Sequence, residues 1–205
     1  AFVRAKLNAA GLTPSPAAPP HVQLRRLWFD LVGLPPTPAA TEAFLAAPND
    51  AAWRDQVEQL LGSPHFGERW GRHWLDLMRY SETLGHEFDY ELPNAWRYRD
   101  YVIESFNKNR PFDQFTREQI AGDLLPDPTL EQQIASGYNR LGMMSAEGGV
   151  QPEEYLTKYA ADRVRTTASV WLGVTLGCAE CHDHKFDPFT AKDFYSFAAF
   201  FADIK

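Results

Sequence analysis

"SPHFGERWGRHWLDLMRYSETLGHEF", residues 63–88, has the clearest helical pattern in this chain. Ser63 is a residue type that caps helix N-termini, and the proline after it suits the first helical position. Apolar residues then recur at helical spacing, which predicts one long helix. Its apolar stripe consists of Phe66, Trp70, Trp74, Leu77 and Met78.

Similar segments, separated by proline or glycine, lie on both sides of this stretch. Asp50 and Gly62 are predicted to cap the N- and C-terminal ends of the preceding helix, and Thr190 with Asp193 forms a capping pair near the end of the chain. No alternating strand pattern and no internal repeat is evident, so the predicted class is all-α, an irregular multi-helix single domain with its cysteine motif near the C-terminus. The further helical segments are 21–34, 38–48, 50–63, 93–111, 111–126, 129–142, 153–177 and 191–204.

One of these segments is ambiguous by propensity. Its second half, "VRTTASVWLGVTLG" (164–177), is rich in β-branched residues, which favour strands. We predict a helix because the flanking segments are helical and no partner strand is evident.

Length, composition and charge restrict the classes of function that this chain can have. The chain has 205 residues, 44% of them hydrophobic, which is enough for one sizeable core, and its net charge is −7 without a basic stripe or an apolar run of membrane-spanning length. Nucleic acid is therefore not an expected partner, and no membrane span is expected. Residues 1–20 are predicted to be a linker-like segment inside a longer protein, and residues 21–205 the helical domain.

The only two cysteines, Cys178 and Cys181, are three residues apart and are followed directly by His182. Two cysteines are too few for a disulfide scaffold, and a thioredoxin-like dithiol would need a βαβ context that the chain lacks. A zinc site is an alternative, with His182 or His184 as third ligand and a fourth from elsewhere. The C-x-x-C-H order is typical of covalent haem c, in which both cysteines form thioethers and the histidine is the proximal iron ligand.

Other residues are candidates for the rest of a haem site. The basic residues Arg163, Arg165 and Lys185 lie near the motif and are candidates for contacts with the haem propionates. His73 is the first candidate for a distal iron ligand, and an open distal position is the alternative. His184 is too close to His182 to reach the other face of a porphyrin. The remaining distal candidates are His65, His86, Met78, Met143 and Met144.

Four stretches together resemble the planctomycete cytochrome C-type domain family, a domain of unknown function with a C-x-x-C-H motif. They are "LRRLWFDLVGLPPTP" (24–38), "SPHFGERWGRHWLDLMRYSET" (63–83), "PNAWRYRDYVIESFNKNRPFDQFTREQIAGDLLP" (93–126) and "DRVRTTASVWLGVTLGCAECHDHKFDPFTAKDFYSFAAFF" (162–201). The resemblance implies haem c bound by Cys178, Cys181 and His182. It also implies a periplasmic or other extracytoplasmic location, beside other domains of a large exported protein.

The expected function is electron transfer by a haem c domain with an unidentified redox partner. A haem enzyme of oxidase or peroxidase type with an open distal site, and a zinc-stabilised interaction module, are the alternatives.

Overall fold

The computed structural model describes residues 1–204, and its secondary structure over that range is helical apart from one isolated bridge between Thr83 and Glu91. The all-α prediction is confirmed. The helices are α1 (Phe2–Ala9), α2 (Pro20–Leu31), α3 (Pro38–Ala46), α4 (Asp50–Leu61), α5 (Pro64–Leu77), α6 (Trp96–Asn107), α7 (Phe112–Ala121), α8 (Leu130–Ala135), α9 (Pro152–Thr167) and α10 (Ala191–Ala198). Shorter turns are 3₁₀ at Gly122–Leu124, Ser136–Arg140, Leu176–Glu180 and Ala199–Phe201, and π at Ala168–Leu172.

The chain divides into two compact units, Ala1–Phe66 and Gly67–Lys205. In the first unit α2 packs on α3 and α4, with Leu24 and Leu60 in its core. The predicted linker contains α1, which buries none of its residues. The predicted division at residue 21 stays a prediction.

The second unit contains two clusters of buried apolar side chains. One is built around Tyr98 of α6, Phe115 of α7 and Tyr138 of the 3₁₀ turn after α8, and the other around Val164 of α9 and Phe194 of α10. The π turn that continues α9 joins the two, because its Ala168 belongs to the second cluster while Trp171 packs on the first. The prediction of a helix for the β-branched segment is confirmed as far as Leu172, and Gly173 ends it with a left-handed φ of 65°.

Helix α5 is shorter than predicted, since it ends at Leu77 instead of continuing to residue 88. Arg79 adopts a left-handed φ of 56°, and the Tyr80 N–H donates back to the Leu75 carbonyl at 3.0 Å, a helix-ending pattern usually formed by glycine. The Arg79 guanidinium donates to Asp162 on α9 at 2.7 Å and to the Leu141 carbonyl at 3.0 Å. Helix α5 therefore ends at a position that the local sequence does not indicate, and Arg79 forms hydrogen bonds there to residues distant in the sequence.

The buried stripe of α5 is also displaced from the predicted one. Trp70 and Leu77 are 38% and 54% exposed, whereas Gly67 and Gly71 are buried and Met78 is fully enclosed. The Gly67 N–H donates to the Asn107 side chain of α6 at 2.8 Å. Glycine does not count as an apolar position in a hydrophobicity pattern. Here its missing side chain allows α5 and α6 to approach closely.

Two of the predicted helix caps are confirmed and one is wrong. Gly62 is the C-cap of α4, but Asn49 is its N-cap in place of Asp50, because the Asn49 side chain accepts from the N–H groups of Ala51 and Ala52. At α10 the Thr190 hydroxyl accepts from the Asp193 N–H at 3.2 Å, and the Asp193 carboxylate accepts from the Thr190 N–H at 2.8 Å.

We expect Thr190→Ala to destabilise the chain by about 1 kcal/mol, because it leaves an N–H group at the start of α10 without its acceptor. Thr190→Ser keeps the hydroxyl and should be close to the unchanged chain. Urea unfolding midpoints measure both. Equal midpoints for all three chains would contradict a stabilising role for this cap.

Candidate functional site

The C-x-x-C segment forms the 3₁₀ turn Leu176–Glu180, with Cys181 directly after it. Cys178 lies inside this turn and Cys181 is its C-terminal cap, so the two cysteines are separated by about one 3₁₀ turn of chain. Both are exposed, and their thiols are free. Leu176 and Ala179, in contrast, are buried against the second core cluster, at 4% and 0% exposure. The turn therefore buries its apolar side and presents two thiols outward.

Side chains from α9 and α10 hold this turn in place. Arg165 of α9 forms an ion pair with Glu180, one of the two residues between the cysteines. The Tyr195 hydroxyl of α10 donates to the Glu180 backbone carbonyl at 2.9 Å. Sequence reasoning missed Glu180 and Tyr195, because partners fifteen positions apart leave no local pattern.

His182 is exposed, and its Nδ1 lies 2.8 Å from the backbone carbonyl oxygen of Asp183. A carbonyl oxygen only accepts hydrogen bonds, so Nδ1 carries a proton, and in the neutral ring the Nε2 lone pair is free. A neutral imidazole held in this way is suited to bind a metal through Nε2.

His184 has the opposite arrangement. Its side chain is only 7% exposed, and its Nδ1 accepts from the N–H groups of Phe186 at 3.2 Å and Asp187 at 2.8 Å. The Asp187 carboxylate lies 3.5 Å from the same nitrogen. Because Nδ1 already accepts two N–H groups, we assign a neutral ring whose hydrogen bonds stabilise its own loop and not an ion pair.

The three candidates for propionate contacts lie in different surroundings. Arg163 is buried, donates to the Asn139 carbonyl at 2.7 Å, and has its pKa lowered by that burial. Arg165 is half exposed beside the motif, and Lys185 is exposed with its Nζ 5.1 Å from the centre of the Phe186 ring. Of the three, Arg165 and Lys185 lie at the surface near the motif, and Arg165 is already paired with Glu180. Their role toward haem stays a prediction.

The distal candidates are dispersed. His73 is exposed on α5 with its ring edge-on to Trp70, at 5.5 Å between centres. Met78 is enclosed in the first core cluster. His86 and Met143 line one cleft of about 510 Å³, which also includes Arg165. Met144 lines a different cleft, and His65 belongs to the first unit. The distal role of His73 stays a prediction.

Within residues 1–204, no group of three or more histidine, cysteine, aspartate or glutamate side chains is arranged to hold a metal ion. Haem differs from zinc in this respect, because the porphyrin supplies four ligands and iron needs only one or two from the protein. Over the same range, none of the helices has the length and apolar character to cross a membrane.

Fold and site together define a helical protein that carries a C-x-x-C-H sequence on an exposed turn. The chain belongs to the family PSCyt2, described as "Protein of unknown function (DUF1549)", whose sequence profile matches residues 1–205. No curated protein and no solved structure matches the chain. The family membership predicted from the sequence is thus confirmed, while the haem is still a prediction.

Proposed function

We propose that this chain is a c-type haem-binding domain that transfers electrons within a larger extracytoplasmic protein. Cys178 and Cys181 form the two thioether bonds, and His182 ligates the iron through Nε2. The proposal is supported chiefly by the arrangement of these groups: two exposed thiols three residues apart, followed directly by an imidazole whose Nδ1 is already bonded to Asp183.

The donor set fits covalent haem better than the alternatives. Each thiol adds across a vinyl group of the porphyrin, sulfur bonding to one carbon and the thiol hydrogen to the other, so no oxidant is consumed. Haem iron supplies reversible one-electron transfer when bound. A zinc site would need more ligands than the two thiols and His182, and His184 is engaged with backbone N–H groups.

The chain's own residues would orient the group. The ion pair between Arg165 and Glu180 and the bond from Tyr195 fix the turn that carries the thiols. Because the thiols and His182 are exposed, the attached group would lie at the surface of this unit, accessible to a redox partner. Attachment of haem c outside the cytoplasm accounts for the proposed location.

The test is an intact mass measured under denaturing conditions, with a pyridine haemochrome spectrum, on protein from a host with periplasmic haem-attachment machinery. We expect a mass increase of one haem that survives denaturation. Cys178→Ala/Cys181→Ala should lose it completely, and either single variant should retain one thioether. Lys192→Ala, on the exposed side of α10, is the matched control and should keep the haem.

A folded chain without haem under these conditions would refute the proposal, and zinc found by elemental analysis would favour the interaction module. If haem is attached, its spectrum separates the two redox functions. A low-spin, six-coordinate centre fits electron transfer, whereas a high-spin centre that binds carbon monoxide or cyanide readily fits an oxidase or peroxidase.

A further inference from the structure

The segment 182–191, "HDHKFDPFTA", is folded on itself by side-chain hydrogen bonds. Such bonds in an exposed loop restrict the chain before any ligand binds, which reduces the ordering cost of binding. These hydrogen bonds also restrain the imidazole ring of His182. Its Nδ1 is bonded to the backbone, and its Nε2 is not.

The first restraint acts through Asp183. Its backbone carbonyl accepts from His182 Nδ1, and its carboxylate accepts from the Ala191 N–H at 2.8 Å. Ala191 is the first residue of α10, whose Phe194 is 1% exposed in the core. Asp183 therefore connects the imidazole of His182 to a helix that is itself anchored by core packing.

The second restraint acts through His184. Its buried ring accepts hydrogen bonds from two backbone N–H groups, those of Phe186 and Asp187. The backbone N–H of His184 donates to the Phe189 carbonyl at 2.7 Å. With Nδ1 accepting, Nε2 carries the proton and faces the Thr175 hydroxyl at 3.5 Å. The ring closes the loop immediately after Asp183 and so limits how the Asp183 peptide can rotate.

We infer that Asp183 and His184 are positioning residues, which hold His182 in the tautomer and orientation that leave Nε2 free for a metal. Together with the loop that they close, they form a clamp that exists before the ligand arrives. The inference rests on the proposed function for the identity of the metal centre, but the clamp itself is a property of the haem-free chain. Neighbouring partners of a metal-bound histidine act in the same way in other sites, by fixing the ring and raising its basicity.

The clamp is tested first without haem, from the ¹⁵N chemical shifts of the imidazole nitrogens. In the native chain at neutral pH, we expect His182 to show a protonated Nδ1 and a bare Nε2, and His184 the reverse. His184→Ala should bring the two His182 nitrogens toward the averaged values of a free imidazole. His184→Asn provides an acceptor oxygen near the position of Nδ1, and it should restore the native pattern.

Asp183→Ala is the second variant, and it removes the bond to Ala191. Asp183→Asn retains an oxygen acceptor and is its conservative control. Circular dichroism establishes that each variant folds, so a loss of the His182 pattern in a folded chain reports the clamp alone. Lys192→Ala, on the exposed side of α10, makes none of these bonds, and it should leave the nitrogen shifts unchanged.

In the haem-loaded chain, the clamp predicts a rise in reduction potential for Asp183→Ala and His184→Ala, because weakening the Nδ1 hydrogen bond makes His182 a poorer donor to ferric iron. His184→Asn should return the potential toward the native value. Averaged His182 nitrogens in the native chain would overturn the inference, as would native shifts in both alanine variants. Failure to attach haem would refute the proposed function instead, while the haem-free nitrogen shifts would still decide the clamp.

Discussion

Gly67→Ala is expected to destabilise the second unit by about 3 kcal/mol, although alanine is intrinsically better than glycine inside a helix by up to about 1 kcal/mol. A Cβ at this position would overlap the backbone carbonyl oxygen of Ile103, and it would lie 2.6 Å from the Asn107 Cγ. A backbone carbonyl in the middle of α6 cannot yield unless the whole helix moves. The steric cost therefore exceeds the gain in helix propensity.

Two other glycines provide graded controls for this substitution. A Cβ at Gly71 would come closest to the Ile103 side chain, at 3.3 Å, which can adjust, and its contacts with the Ile103 Cα and the Val102 side chain at 3.6 Å are ordinary ones. A Cβ at Gly137 would meet nothing closer than the Tyr98 ring at 3.9 Å. We expect Gly71→Ala to be mildly destabilising and Gly137→Ala to be neutral or slightly stabilising. Equal unfolding midpoints in urea for all three variants would show that the approach of α5 and α6 is not limited by the missing Cβ.

Glu118→Gln is expected to cost about 3 kcal/mol, because it leaves the charge of Arg110 with less compensation inside the protein. Glu118 is 2% exposed, forms an ion pair with Arg110, and accepts from the Tyr101 hydroxyl at 2.9 Å and the Gln114 amide at 2.8 Å. Arg110 also reaches Glu131 at 2.5 Å, which retains part of the compensation. The free energy of unfolding from denaturant titration measures the loss.

The control is the exposed pair between Glu104 of α6 and Lys108, the C-cap of that helix, whose side chains are both more than half exposed. Glu104→Gln removes the same charge type in water, and it should change stability by less than about 0.5 kcal/mol. The double variant Arg110→Met/Glu118→Leu should recover most of the loss, since no buried charge is left alone. A cost for Glu118→Gln no larger than that for Glu104→Gln would contradict the buried network.

The same network predicts a pH dependence. Burial alone would raise the pKa of Glu118, but hydrogen bonds from Gln114 and Tyr101 and the charge of Arg110 hold it below its ordinary value of 4.5. A carboxyl whose pKa is lowered in the folded state contributes stability above its ordinary pKa and loses it as the pH falls through the folded-state pKa. Glu118→Gln should therefore flatten the acid side of the stability profile, and it should leave the neutral region parallel to that of the native chain.

Much of the secondary structure could be read from local pattern. Proline at the start of α3, glycine at the end of α4, and the pair of Thr190 and Asp193 mark helix ends through hydrogen bonds made within a few residues. The end of α5 could not be read in this way. Arg79 is not a helix-ending residue type, and its partners Leu141 and Asp162 lie more than sixty positions further along the chain.

Some features of the candidate site can likewise be read from the sequence, and others cannot. The order of Cys178, Cys181 and His182 is a sequence property, and the sequence by itself determined the all-helical class, the family and the chemistry that these three side chains can perform. Only the tertiary structure decided that the thiols face outward, that Nδ1 of His182 is bonded while Nε2 is free, and that α9 and α10 hold the turn between them. The physical reason is the distance along the chain over which each interaction acts. Capping and helical periodicity act over one or two turns, whereas the direction of an exposed side chain depends on which distant helices bury the other side of its turn.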